Sequence, residues 1–263
     1  MALIQRRGFL ALTGLAALGL SACGRGTPAE ATGPVFVLVH GALHGGWCWR
    51  RVARLLRAQG AEVFTPTLTG SGERVHLNGA HIDLATHIQD VANVVEYEEL
   101  EKVVLVGHSY AGMVITGVAQ TLSAKLAHLV YLDAVIPRDG ECALDAMGGL
   151  SIDADMQMFG AQPGTDFGVT DEKDRAWLDR RITRQSAQTL RDKLAVGDMS
   201  SMKRTFIACT ADSGSGSPAD DMRQASLARL DASWRREEIK TGHDAMITAP
   251  RALSDALLQI AAR

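Results

Sequence analysis

"VLVGHSYAGM", residues 104–113, is the stretch on which the fold turns. It runs from β-branched and aliphatic residues into Gly107-His108-Ser109, then into a helical run, "YAGMVITGVAQTL", residues 110–122. The pattern G-x-S-x-G marks a serine held on a sharp turn between a strand and a helix. Here Ala111 occupies the last glycine position, and the glycine follows one residue late, at Gly112. Small residues keep such a turn tight and let the helix pass close to the strand. The extra methyl of Ala111 is tolerable if its φ is negative, as at a helix start. Taken alone, Ser109 also reads as a helix N-cap, a position that serine favours.

Outward from this turn the chain alternates. Strand-like runs are "VFVLVHG" (35–41), "AEVFTPTL" (61–68), "KVVLVGH" (102–108), "AHLVYLDAV" (127–135), "RTFIACT" (204–210) and "RREEIKTG" (235–242). The first, third and fourth are continuous apolar runs, as strands buried on both faces tend to be. Between them lie helical patterns. Leu84, Ile88, Val91 and Val95 share one face, as do Leu253, Leu257 and Ile260, with Pro250 near the start of the last helix. This alternation predicts a doubly wound, mostly parallel α/β sheet. Residues 137–200 break the rhythm. They carry no strong strand, and they read as a helical cap inserted over the carboxyl ends of the strands.

A serine nucleophile needs a base within hydrogen-bond reach, and the base needs an orienting acid. In this class they follow in the order Ser, Asp, His, each at the end of a strand. His243, in "IKTGHDAMITAP" (239–250), lies between the last strand and the last helix, where the base belongs. The acid has two candidates. Asp212 in "FIACTADSG" directly follows the penultimate strand and is favoured by chain order; Asp133 in "VYLDAVIP" ends the strand before the cap and is the alternative. Asp220 and Asp221 read instead as a helix start. An oxyanion hole would take one backbone N–H from Tyr110 and another from the loop "HGALHGGW" (40–47), at Ala42. His40 and His44 in that loop suggest a metal pair, but no third ligand stands at a useful spacing. The chain contains neither a G-x-G-x-x-G nor a G-x-x-x-x-G-K-[ST] pattern, so a nucleotide site has no support.

The N-terminus reads as an export signal rather than as fold. Paired Arg6 and Arg7 precede Gly8, Phe9 and Leu10, and an apolar run extends to Leu20. That run is short for a spanning helix, which needs about 20 apolar residues. The arginine pair resembles a twin-arginine motif, and "LSAC" (20–23) resembles a lipobox with Cys23 as the lipidated residue. Residues 1–22 are then a signal peptide and 23–33 a tether, with the catalytic domain at 34–263. The expected location is the cell envelope, with the domain held to a membrane only by lipid. A net charge of −3 is too small, and of the wrong sign, for a nucleic-acid partner. With 46% hydrophobic and 22% charged residues, the 263-residue chain has globular composition. Cys48, Cys142 and Cys209 are an odd set without C-x-x-C spacing, so they form no paired framework or zinc site. Cys209 reads as inert core.

Residues 36–77 resemble the opening of the α/β-hydrolase subgroup that holds plant methylesterases, hydroxynitrile lyases and bacterial carboxylesterases. "LVGHSYAGMV", "LVYLDAVIP", "IACTAD" and "GHDAM" resemble its later blocks. The resemblance covers most of 35–262 and is weakest in the cap. It implies a serine esterase with Ser109, Asp212 and His243 as triad, Ala42 and Tyr110 as oxyanion donors, and no metal or organic cofactor. The substrate would be a small to medium carboxylic ester. In the subgroup's lyases a lysine follows the catalytic histidine, and a threonine follows the histidine of the first-strand loop. Here those positions are Asp244 and Gly41. Since a cyanohydrin lyase needs a cation beside the departing cyanide, the lyase alternative weakens. A binding protein that kept the fold and lost the chemistry is the other alternative; a broken triad would favour it, and all three members are present.

Overall fold

The computed structural model describes residues 33–161, 167–211 and 217–263. The expected signal peptide, Cys23 and nearly all of the tether lie outside the described residues, and so does Asp212. No helix among the described residues is long and apolar enough to cross a membrane.

In chain order the elements are β1 (Val35–Val39), α1 (Arg50–Ala58), β2 (Glu62–Phe64), α2 (Leu84–Tyr97), β3 (Val103–His108), α3 (Ala111–Leu122) and β4 (Leu126–Leu132). Then come α4 (Ala143–Ala146), β5 (Met158–Phe159), α5 (Glu172–Asp179), β6 (Gln185–Ser186) and α6 (Gln188–Arg191). The chain closes with β7 (Arg204–Cys209), α7 (Pro218–Leu227), β8 (Trp234–Ile239), α8 (Ala245–Thr248) and α9 (Pro250–Ala261). Six strands form one sheet in the order β2-β1-β3-β4-β7-β8, and every neighbouring pair is parallel. The doubly wound expectation therefore holds.

The continuous apolar runs divide cleanly at the pleat, because successive side chains of a strand point to opposite faces. Val37, Val39, Leu105, Leu129, Tyr131 and Phe206 enter the core layer that also contains Val91, Val95 and Ile115 of α2 and α3. Phe36, Leu38, Val104, Val106, Val130 and Ile207 enter the opposite layer with Val52 and Leu56 of α1 and Leu253 and Leu257 of α9. Each fully buried aliphatic side chain contributes on the order of 1.5–3 kcal/mol. Both faces are thus covered, as a parallel sheet requires.

From β1 the chain winds outward to β2, then crosses back to β3 and continues in the other direction. The loops after β1 and β3 therefore leave neighbouring strands toward opposite sides. Such a switch point opens a crevice at the carboxyl ends of the strands. Among its described residues, the segment between β4 and β7 contributes a two-stranded antiparallel ribbon, β5 with β6, and three short helices.

Candidate active site

Ser109 sits between β3 and α3 at φ +56°, in the left-handed region. A non-glycine residue there is uncommon and strained. Its N–H donates to the Leu132 carbonyl, and its own carbonyl accepts from Gly112 and Val135. The N-cap of α3 is Tyr110, and no side chain caps that helix. The capping alternative for Ser109 is therefore absent from the structure, and the elbow geometry is present. Ala111 opens α3 at negative φ, so its methyl costs nothing there. The late glycine has its own cause. A Cβ on Gly112 would stand 1.9 Å from the Val135 carbonyl oxygen, where the chain leaving β4 crosses the helix. Gly41 is equally constrained, since its Cβ would fall 2.8 Å from both the His108 Nδ1 and the Ser109 Cβ.

His243 follows β8 and is 6% exposed. Its Nδ1 lies 2.7 Å from Asp133 Oδ2. Asp133 stands directly after β4 at φ +43°, which ends that strand three residues short of its sequence pattern and turns the carboxylate inward. The carboxylate is fully buried and also accepts from the Cys209 N–H and, twice, from Arg223. Burial pushes this carboxyl up, but the bonds from His243 and Arg223 outweigh it and hold the group below the usual range. Chain order favours Asp212 as the partner of His243; the partner found among the described residues is the alternative, Asp133.

Ala42 belongs to the loop after β1, and its N–H shares a planar trans peptide with the Gly41 carbonyl. His40 Nδ1 donates to that carbonyl at 2.8 Å, while its Nε2 accepts from the Leu68 N–H. His40 thus fixes the plane in which the Ala42 N–H points. Burial lowers its pKa to about 3, so the ring is neutral. Neither Ala42 nor Tyr110 spends its N–H on an acceptor among the described residues. The Tyr110 hydroxyl bonds His87 Nδ1 at 3.1 Å, which anchors the residue next to the serine.

His44 uses both ring nitrogens: Nδ1 contacts the Ala42 carbonyl at 2.7 Å and Nε2 contacts Asp244 Oδ2 at 2.9 Å. A carbonyl and a carboxylate both only accept, so the ring carries two protons opposite an ionised Asp244. Burial alone would lower the His44 pKa, but the Asp244 charge and hydrogen bond raise it. Both residues are buried. The histidines of the loop are therefore spent on backbone and on Asp244, not on a metal pair. His108, Asp244 and His243 bring ligand-type atoms within 4.8 Å of one another. In that group His108 Nε2 donates to the His243 carbonyl at 3.0 Å, and its ring lies 4.5 Å from the His243 ring. Burial, then the nearby His243, lowers the His108 pKa to about 3.

Ala42, His44, His108, Ser109 and His243 line one cavity of about 910 Å³. Its apolar wall comes from Met147, Leu150, Ile152, Phe159, Phe167 and Met222. Of the apolar side chains Met156, Met158, Phe159 and Trp177 in the segment between β4 and β7, only Phe159 reaches this wall. Met156 and Met158 line a neighbouring cavity, and Trp177 packs edge-on against Trp47 and under Arg181. His108, Arg223 and the His44–Asp244 pair were beyond sequence reasoning. The signal for Asp244 was its place beside His243; Arg223 offered none.

A strand-turn-helix serine, a histidine backed by a carboxylate and a cavity at the switch point define a hydrolase of the α/β type. Residues 36–256 match the model of the alpha/beta hydrolase family, and the chain belongs to that family. It is 39% identical, over 84% of its length and 97% of the relative's, to a carbendazim hydrolyzing esterase of Nocardioides sp. (strain SG-4G). It is 26% identical to methylesterase 10 of Arabidopsis thaliana, over 87% of this chain and 92% of that one. An extracellular alpha/beta-hydrolase from a Paenibacillus species superposes with a TM-score of 0.72 at 20% identity, covering 86% of this chain and 98% of that one.

Proposed function

We propose that this chain is a serine carboxylesterase acting through an acyl-enzyme. The observation that carries the reading is the strained Ser109 in one cavity with His243, whose ring is backed by a buried carboxylate. His243 takes the Ser109 proton as the hydroxyl oxygen attacks the ester carbonyl. The N–H groups of Ala42 and Tyr110 receive the oxyanion. His243 returns its proton to the departing alcohol, and water then frees the acyl group by the same path. Asp133 holds the imidazole and stabilises its charged form.

A cavity of about 910 Å³ with an apolar wall suits small to medium esters bearing a ring or short chain. An ester panel for this protein includes carbendazim, because the bacterial relative is named for hydrolysing it. The lyase alternative is disfavoured: Asp244 replaces the lysine, and the cation nearby, His44, has no N–H left to give. Ser109→Ala is expected to abolish p-nitrophenyl acetate hydrolysis, leaving a folded protein. A wild-type rate no higher than that of the variant would return the chain to the binding-protein reading. Asp133→Asn is expected to lower kcat by at least 100-fold and Asp212→Asn by far less; the reverse order would assign the acid to Asp212. We infer further that the chain is exported and lipid-anchored at Cys23, on Arg6, Arg7 and residues 20–23. An N-terminus found unlipidated by mass spectrometry would refute the anchor.

A further inference from the structure

Arg223 projects from α7 and is 6% exposed. Its Nε donates to Asp133 Oδ1 at 2.6 Å and its Nη2 to Asp133 Oδ2 at 2.9 Å, a two-point fork on the carboxylate. Oδ2 is also the oxygen that faces His243 Nδ1. The arginine and the histidine therefore draw on one oxygen. The Arg223 Nη1 is held in turn by Asp220. A carboxylate oriented by a guanidinium fork cannot rotate about its χ2, so the line from Oδ2 to the imidazole is fixed. The same cation offsets part of the charge that would stabilise an imidazolium.

We propose that Arg223 is a positioning residue of this site, one that locks the Asp133 carboxylate against His243 and extends the active range toward lower pH. The proposal rests on Asp133 being the acid that serves His243. Among the described residues, the charged and titratable groups facing His243 are few. They are Asp133 after β4, His108 at the end of β3, the Cys209 thiol of β7 and Asp244 on its own turn, with His44 behind Asp244. Among the described residues, Arg223 is the one permanent cation that touches the acid. A bland role also exists, since the fork ties α7 to the end of β4. That role would lower stability on substitution without moving a pH profile.

The two roles separate in the pH dependence of kcat/KM with p-nitrophenyl acetate, measured on the full chain. Arg223→Gln removes the cation. Its acid limb is expected to move up by about half to one pH unit and kcat to fall about 10-fold, with KM little changed. Arg223→Lys keeps the charge but reaches one oxygen. Its acid limb is expected to stay near the wild-type position while kcat still falls several-fold. An unmoved acid limb in a folded Arg223→Gln protein overturns the proposal. If the Gln variant fails to fold, the Lys variant decides: an undiminished kcat overturns it. Asp133→Asn is run alongside. A near-wild-type rate there refutes the assignment of the acid itself, whereas a collapsed rate with an unmoved Arg223→Gln limb refutes only the role of Arg223.

Discussion

His44 and Asp244 come from opposite ends of the domain, yet they share a proton-rich contact behind the cavity. Their energetics are asymmetric. Removing the histidine leaves a buried carboxylate with no cation, a loss worth about 3–5 kcal/mol. Replacing the aspartate by asparagine lets a neutral His44 keep its Nδ1–H on Ala42 and accept from the amide at Nε2. His44→Leu is therefore expected to lose about 3–5 kcal/mol in urea denaturation, and Asp244→Asn no more than about 1.5 kcal/mol. Equal losses in the two variants would contradict a charged pair. At this scale the sequence exposed Ser109 and His243, since a serine elbow and a late histidine have positional signatures. It left the acid open between Asp212 and Asp133, because both end strands and a one-dimensional order cannot say which carboxylate faces a ring.

The elements explain why the motif departs from its usual form. β3 and α3 meet at Ser109, and the chain leaving β4 crosses α3 at Gly112. The glycine at 112 thus serves helix-to-backbone contact, while position 111 needs only helical φ. Gly112→Ala is expected to cost about 1–3 kcal/mol through overpacking against Val135. Ala111→Gly, which restores the common spelling, is expected to cost about 1 kcal/mol or less and to leave the rate unchanged. Paired thermal melts and esterase rates test both; a harmless Gly112→Ala would mean that the crossing is looser than described. The strand patterns at 35–41, 102–108, 127–135 and 204–210 all match strands, because apolar runs buried on both faces are hard to mistake. The pattern at 61–68 ends early, at Phe64. There the chain leaves the sheet so that Leu68 can give its N–H to His40, a contact that no periodicity announces.

Across the whole molecule, burial of several titratable groups makes stability depend on pH in both directions. His40 and His108 have folded pKa values near 3 against 6.5 when free, so the unfolded chain binds protons that the fold refuses. Their contribution is complete above pH 6.5 and is lost as pH falls from there toward 3. Each costs up to about 1.4 kcal/mol per pH unit in that window. Asp133 and Asp244, held low, add a loss that begins as pH falls below the unfolded carboxylate value, near 4. His44 acts oppositely: its raised pKa contributes stability below 6.5 that fades as pH rises through the folded value. Urea midpoints are therefore expected to drop steadily from pH 6.5 to 4.5, before the carboxylates titrate. A midpoint flat over that range would show that the histidines are more accessible than their burial implies.

The fold class, the six parallel strands, the Ser109 turn and the candidate base follow from local pattern, since hydrophobic period and turn chemistry are properties of neighbouring residues. The partner of His243, the fork of Arg223, the pairing of His44 with Asp244 and the cavity wall came only with the tertiary structure. These contacts join residues 90 to 200 positions apart across a switch point. Burial there decides which charges must pair, and burial is a property of the whole packed chain.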